Sequence, residues 1–479
     1  MKPKVWLLLP ATIFILTAHA QKNLIKLPDS KTLSLQAIDR LVVKLMDTAE
    51  VSGLCLGIIV NNVPGYIKAY GYKNKAKEEY NDTATCFYAA SLSKPLFAFL
   101  VMQLVDEGKM NLDKPLYTYL PHPLPEFTAY KDLAGDDRWK LITARNCLDH
   151  TTGFPNWREL NPHNNRKLEI FFTPGERYAY SGEGLYLLQM VVEYITGKSL
   201  EVLARERVFR PFAMRRTSFL WQPSFESDYA VGHDMNTDTL TKDKRTSSNA
   251  AGSMETTIAD YSRFVSALMQ GKGISVHAKR EMLSPQISIH SSHQFPSLNK
   301  DTTSENKAIK LSYGLGWGLF TSKYGQTFFK EGHGEGWVHY MISFPDKKYA
   351  VIVMSNSANG ESIFKELLEN LTGITIPWEW EGYTPYRATI KLPVDELRQY
   401  TGWYDGKLKA KISLIDGQLK VESETVSLRK TNLYAASRDH FFLKVMDTEM
   451  QFVRGADGKV EKVILNDEGE RYELTKTKK

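Results

Sequence analysis

Hydrophobic positions along the chain follow different spacings in different stretches, and each spacing predicts a kind of element. After residue 30 they first recur at helical intervals: Leu35, Ile38, Leu41, Leu45 and Met46 share one face, and Ser34 stands where an N-cap belongs. Two apolar runs follow, Leu54 to Val60 and Tyr66 to Tyr72, around Asn61-Asn62-Val63-Pro64-Gly65. That is the pattern of two strands joined by a turn. From Pro95 to about Gln270 helical segments dominate, such as Leu185, Leu188, Val191, Val192 and Ile195 closed by Gly197. Strand-like runs return at Tyr313 to Phe320, Gln326 to Lys330, Trp337 to Phe344 and Tyr349 to Ser355, before a helix from Ser362, read as its N-cap, to Leu371. The expected fold is α+β: an antiparallel sheet assembled from both ends of this region, flanked by helices, with a large helical insertion between.

A linker is expected from Gly382 to Leu392, where Pro385 falls and no helical period crosses. Beyond it lie short alternating runs, among them Lys409 to Leu414, Gln418 to Val421, Phe441 to Val445, Gln451 to Arg454 and Lys459 to Leu465. Asp416-Gly417 and Asp457-Gly458 punctuate them as hairpin turns, so residues 390–479 read as a small all-β domain behind a main domain at 30–380. The polar stretch from His290 to Lys307 reads as a flexible surface excursion. Residues 1–20 read as a secretory signal: Lys2 and Lys4, an apolar stretch from Val5 to Thr17, and Ala18-His19-Ala20 as a small-x-small cleavage site. A periplasmic or secreted protein follows. The stretch is short for a bilayer span and Pro10 interrupts it, so no stable membrane anchor is expected once the signal is removed.

Composition narrows the function classes. With 479 residues, 42% hydrophobic and 24% charged, the chain has material for a large core and is neither disordered nor fibrous. The net charge of +6 includes Lys2 and Lys4 of the leader, and the basic run Thr241-Lys-Asp-Lys-Arg245 is short and broken by an acid. No nucleic-acid partner is implied. Three cysteines, Cys55, Cys86 and Cys147, lie in apolar surroundings and read as buried packing thiols, neither catalytic nor metal-binding. His333, Glu335 and His339 match no metal-ligand motif, and Gly314-Leu-Gly-Trp-Gly318 lacks the features of a dinucleotide fingerprint. No metal and no cofactor are expected.

The candidate chemistry is Ser-x-x-Lys, because three residues along a helix bring an amine over a hydroxyl and can activate it as a nucleophile. The pattern starts at Ser91, Ser297, Ser304, Ser362 and Ser427. Ser297 and Ser304 fall in the polar excursion, Ser362 reads as an N-cap and Ser427 lies in the β-rich tail. Ser91 stands where the apolar run Phe87-Tyr88-Ala89-Ala90 meets a helix from Pro95 to Val105, whose N-terminal amides favour developing negative charge.

Around Ser91-Leu-Ser-Lys94 the sequence resembles the serine β-lactamase and penicillin-binding-protein superfamily, particularly its class C, D-aminopeptidase and esterase-like branch. Leu112-Asp-Lys-Pro115, Ile142-Thr-Ala-Arg-Asn-Cys-Leu-Asp-His-Thr-Thr-Gly153, Thr173-Pro-Gly-Glu176, Tyr180-Ser181-Gly182, Ala251-Gly-Ser253, Tyr313-Gly-Leu-Gly-Trp317 and Gly332-His-Gly334 continue the likeness in order over roughly residues 35 to 375. The resemblance implies a β-lactamase/transpeptidase-like fold. It makes Ser91 the acylated nucleophile, Lys94 its partner, Tyr180 a proton shuttle and His333 the third-motif residue where many relatives have Lys. It also implies that His150 supports the site, and that the acyl oxygen meets the amides of Ser91 and of Gly336 or Trp337. Free Tyr and Lys titrate near 10 to 10.4, so burial or neighbouring charge must shift one before it serves as a base at neutral pH; the residues alone leave open which.

Two departures from the family pattern shape the expected activity. Gly182 replaces the usual Asn of Tyr-x-Asn, which removes a side-chain amide and weighs against penicillin-like turnover. His333-Gly-Glu-Gly-Trp337 is compact and sets Glu335 near the substrate strand, where a carboxylate favours a neutral or cationic substrate group. Gly182, Gly334, Glu335 and Gly336 are the candidate substrate-binding positions. The expected protein is an exported serine hydrolase that cleaves a small acylated or peptide substrate through a Ser91 acyl-enzyme. The alternatives are a β-lactam hydrolase and a catalytically silent ligand-binding protein of the same fold.

Overall fold

The computed structural model describes residues 24–383, 389–425, 428–443, 448–467 and 470–477. The leader read at 1–20, Ser427 and the middle of the linker, 384–388, lie outside them.

The first helix, α1 (Leu35–Ala49), begins where Ser34 accepts a hydrogen bond from the Ala37 amide, and it buries Ile38, Val42, Leu45, Met46 and Ala49. Strands β1 (Gly53–Val60) and β2 (Val63–Asn74) form a hairpin whose turn residues Asn61 and Asn62 take positive φ, a conformation asparagine tolerates. Helix α2 (Ser93–Asp106) is apolar on nearly every face and correspondingly buried from Ser93 to Met102, which makes it the axis of the molecule. Pro95 sits in its first turn, where no backbone donor is needed. Helix α3 (Gly182–Thr196) starts at the Ser181 cap and stops at Gly197, which takes φ 65°. Helix α4 (Ile258–Met269) packs on β1 and β2.

Strands β3 (Gly318–Ser322), β4 (Gly325–Gly334), β5 (Trp337–Phe344) and β6 (Tyr349–Ser355) form an antiparallel meander, and β6 pairs with β1. The two ends of the region therefore share one sheet. From one edge the order runs Glu79–Tyr80, β2, β1, β6, β5, β4, β3, Ser312–Tyr313, Ile287–Ser288. Alternation divides its faces: Phe328 and Met341 join the core around α2, while Phe329 and Tyr340 join a second core with α1 and α5 (Phe364–Thr372).

Three local readings change. The run from Tyr313 to Phe320 is interrupted by a turn in which the Gly314 amide donates to the Trp317 carbonyl. Ser362 is no N-cap: it lies within a 3₁₀ turn, Ala358–Ile363, and its hydroxyl donates to the Asn359 carbonyl. Much of the stretch between α2 and α3 is 3₁₀ turn and loop instead of helix, the chain there being rich in Pro, Asp and aromatic residues.

The C-terminal region is an all-β domain with its own core, centred on Tyr400, Tyr404, Phe441, Val463 and Leu474. Asp416-Gly417 and Gly458 turn its hairpins at positive φ. Among the described residues no helix is long and apolar enough to cross a membrane.

Candidate active site

Ser91 lies in the 3₁₀ turn Ala90–Leu92 that leads into α2. Ala90 before it takes φ 47°, a left-handed conformation that costs a non-glycine residue energy and is held here by dense packing. Ser93 locks the turn by donating its hydroxyl hydrogen to the Ala90 carbonyl and accepting the Met254 amide. Ser91 is thereby half-exposed at the positive end of a buried helix.

Lys94, one turn on, is buried, with Nζ 2.9 Å from Ser91 Oγ and 2.6 Å from the Ala251 carbonyl oxygen. Helix α3 places that carbonyl: Asn249 donates to Tyr186 and accepts the Ala251 amide, and Gln189 accepts the Ala250 amide. Burial foremost, then the charge of Lys330, pushes the Lys94 amine well below its ordinary range, against the opposing pull of Glu331.

Tyr180 is buried with its ring 4.8 Å from Lys94 Nζ. Its hydroxyl lies near Ser91 and Lys330 without closing a hydrogen bond of full geometry to either. Burial raises its pKa, and the Lys330 charge only partly offsets this, so the phenol holds its proton at neutral pH. His150, at φ 61°, packs with its ring tilted 4.3 Å from that of Tyr180 and accepts the Ser181 amide on Nδ1; burial keeps it neutral. Ser91, Lys94 and Tyr180 are thus brought together, with His150 behind the phenol.

Gly182 has a definite reason to lack a side chain. A Cβ there would lie 2.3 Å from the Trp157 ring, which fills the space beside Lys94 with its ring 5.9 Å from Nζ. Lys94 is held between Trp157 and Tyr180, an aromatic clamp where the family pattern carries an amide.

His333 takes a different direction from the other three. Its ring, at the next-to-last residue of β4, is substantially exposed, and Nε2 donates to Glu361 at 2.7 Å. Packing works against its charged form, but the Glu361 carboxylate prevails and raises its pKa. Among the described residues no hydrogen bond joins it to Ser91, Lys94 or Tyr180. The ammonium beside Tyr180 belongs to Lys330, three residues earlier, with Nζ 4.8 Å from the ring. His339 is a structural residue: Nε2 donates to the Tyr88 carbonyl and Nδ1 accepts the Ser355 amide.

The two-residue turn Glu335-Gly336 joins β4 to β5. Gly336 takes φ 74° and packs on Leu240 and the His233 amide, while a Cβ at Gly334 would meet the Tyr88 ring at 2.7 Å. Tyr88 and the exposed Glu335 border a cleft of about 240 Å³ with Leu240, Lys242, Arg245 and Trp337. Lys242 is neutralised inside it by both oxygens of Glu255, each 2.8 Å away.

Sequence reading missed Trp157, Asn249 and Lys330. A signal for the last was present: Lys330-Glu331 is a charged pair that directly follows Phe328-Phe329 in a strand run. The stretch from His290 to Lys307 is also better anchored than expected, because Gln294 is buried and donates to Glu331 at 2.8 Å while Arg177 donates to the Leu298 and Asn299 carbonyls.

The pattern of the Beta-lactamase family matches residues 38–372, which span all of these elements. The chain belongs to that family. Its members are serine hydrolases that act through an acyl-enzyme. The chain is 24% identical to penicillin-binding protein 4* of Bacillus subtilis (strain 168) over 458 residues, 86% of this chain and 92% of that protein. Its fold is similar to that of the octameric penicillin-binding protein homologue from Pyrococcus abyssi, with a TM-score of 0.58 and 20% identity over 93% of this chain and 100% of that one. It is also similar to EstCE1, a hydrolase with promiscuous acyltransferase activity, with a TM-score of 0.56 and 17% identity over 67% of this chain and 92% of that one.

Proposed function

We propose that this chain is an exported serine hydrolase that cleaves an ester or amide through an acyl-enzyme on Ser91. The observation that carries the reading is the buried Lys94 amine 2.9 Å from Ser91 Oγ, its other contact fixed by the Ala251 carbonyl. An amine pushed well below its ordinary range is a more available proton acceptor than an ordinary lysine.

In acylation Ser91 passes its hydroxyl proton to Lys94 while Oγ attacks the acyl carbon. The oxyanion takes hydrogen bonds from the Ser91 amide and from an amide of the Gly336–Trp337 turn. Collapse breaks the bond to the leaving group, which takes a proton from Tyr180; the Lys94 ammonium then returns its proton to the phenolate. Water attacks the ester with Lys94 again as base, and Ser91 recovers its proton. The phenol suits the donor role because its proton is held firmly at neutral pH.

Glu335, exposed on the turn and in no ion pair among the described residues, gives the cleft a carboxylate that favours a neutral or cationic substrate group. The aromatic clamp at Gly182 and Trp157 favours simple esters or amides over penicillins. A turnover panel tests this reading: an activated acetyl ester, a cationic amino-acyl ester, an anionic succinyl ester and a penicillin. The expected order places the first two ahead, with Glu335→Gln narrowing the gap between cationic and anionic esters. Preferred turnover of penicillin, or an unchanged gap in the variant, contradicts the substrate assignment.

A further inference from the structure

Away from the Ser91 site, positive charge gathers in the stretch Arg205-Glu-Arg-Val-Phe-Arg-Pro-Phe-Ala-Met-Arg-Arg216, where five of twelve residues are arginine. Two of the five are engaged: Arg207 pairs with Glu107, and Arg216 donates to the Ala84, Ser224 and Asp228 carbonyls. Arg205, Arg210 and Arg215 are exposed, and among the described residues none of their guanidinium groups makes a hydrogen bond or an ion pair. All three line one cavity of about 360 Å³.

The backbone brings them together. The helix that starts at Leu200 widens to the π form from Arg205 to Phe209, with the Arg210 amide on the Arg205 carbonyl and the Met214 amide on the Phe209 carbonyl, each five residues back. Ala213 then takes φ 55°, a left-handed conformation uncommon for alanine, and turns the chain so that Arg215 faces the same cavity as Arg205 and Arg210. Phe209 and Met214 are buried in the core and give the cavity a fixed apolar wall.

Packing gives no reason for this convergence. Like charges around one hollow repel each other, and the acids nearby are engaged elsewhere. Glu206 pairs with Lys198 at 2.6 Å, Glu201 accepts the Phe219 amide at 2.7 Å, and Asp260 takes the Arg216 amide, the Thr217 hydroxyl and Arg263. The carbonyls at the end of the helix attract one cation and do not account for three. An anion bound among the three satisfies them all. A carboxylate offers two oxygens, enough for one guanidinium fork, whereas a terminal phosphate offers three oxygens and close to a double charge. We propose that this cavity is a binding site for a terminal phosphate group, gripped by Arg205, Arg210 and Arg215. It shares no residue with the Ser91 centre, so the proposal holds or fails independently of the acyl-transfer reading. A soluble phosphate compound and a phospholipid headgroup both present this chemistry, and the test separates them.

The test uses the full chain at low ionic strength, in buffer free of phosphate and sulfate, with two probes. Inorganic pyrophosphate is titrated calorimetrically, and phosphatidylcholine vesicles with or without phosphatidic acid are sedimented with the protein. Pyrophosphate is expected to saturate the wild type below about 1 mM. Arg205→Gln/Arg210→Gln/Arg215→Gln is expected to weaken binding at least about tenfold; Arg210→Gln alone weakens it about threefold and serves if the triple variant does not fold. Lys44→Gln/Lys131→Gln/Lys391→Gln removes the same charge from exposed positions elsewhere and is expected to bind within about twofold of wild type. Pyrophosphate binding without sedimentation that depends on phosphatidic acid assigns a soluble ligand. Sedimentation that pyrophosphate competes away and the triple variant lacks assigns a headgroup. Failure of both probes overturns the proposal, as does binding that survives in the folded triple variant or in Arg210→Gln. Equal weakening in the lysine variant also overturns it, because net charge and not this cavity then holds the anion. Citrate bound as tightly as pyrophosphate contradicts the phosphate assignment.

Discussion

Lys94 and Tyr180 share one buried space, and their environments drive them in opposite directions: the amine down, the phenol up. The separation sets the pH window. A protonated Lys94 cannot accept the Ser91 proton, so acylation rises with pH through the lowered amine pKa. An ionised Tyr180 cannot donate, so the rate falls again only above the ordinary phenol range. Single-turnover acylation from pH 5 to 11 is expected to give a broad plateau; a rising limb at the ordinary lysine value, roughly 10.4, contradicts the assignment of Lys94 as base. Gly182 has an equally local consequence. Gly182→Asn drives a Cβ into Trp157 and is expected to cost about 1–3 kcal/mol in urea unfolding, most of it recovered by pairing with Trp157→Ala. Equal losses in the single and double variants contradict the clamp. The Ser91–Lys94 pair was legible in the sequence because helical spacing alone makes i and i+3 neighbours. Trp157 was not, since its place beside Lys94 depends on a contact across 25 positions that no local pattern encodes.

Among the elements, β4 combines structural and chemical duties. Phe328 and Phe329 feed the two cores, Lys330 and Glu331 bring buried charge, and Gly334 leads into the turn beside the cleft. Removal of one charge leaves the other buried without a partner, so Lys330→Met or Glu331→Leu alone is expected to cost about 3–5 kcal/mol, while the double replacement costs much less. Burial acts against the Glu331 carboxylate, but Lys330 and Gln294 prevail and hold its pKa at about 2. The folded value lies below the unfolded one, so this carboxylate stabilises the fold above roughly pH 4.3 and the contribution is lost as pH falls from there towards 2. Chemical denaturation across that range is expected to show a steeper acid loss in wild type than in Lys330→Met/Glu331→Gln; parallel curves contradict it. The strand-like run is legible in the sequence only as far as Lys330, because a lysine looks like a boundary until its buried partner Glu331, itself anchored by Gln294, is known. The excursion misled for the same reason: polar composition suggested a free loop, and the anchor, Gln294 on Glu331, is a tertiary contact.

At the scale of the whole molecule, two cores share the main domain and a third lies in the all-β domain, which meets the rest through Asn432 and Tyr434 on Glu50 and Asn236 on the Lys430 carbonyl. Among the described residues these links are polar hydrogen bonds, and polar links couple two units weakly. Leu474→Ala is expected to destabilise the C-terminal unit by about 2–5 kcal/mol and to shift one calorimetric transition, leaving Ser91 acylation unchanged. Loss of acylation in step with that transition contradicts independence. The arrangement of one sheet from two distant ends followed by a β-rich tail was readable from the return of strand spacing after a long helical stretch. The sheet order was not, because pairing of β6 with β1 joins segments some three hundred residues apart.

The central claim is that Ser91 is the atom acylated. Intact-mass analysis after incubation with a fluorophosphonate and with an activated ester, followed by peptide mapping, tests it directly. The account predicts a single adduct on the Ser91 peptide in wild type, absent from Ser91→Ala. An adduct that persists in Ser91→Ala, or maps to another peptide, contradicts it.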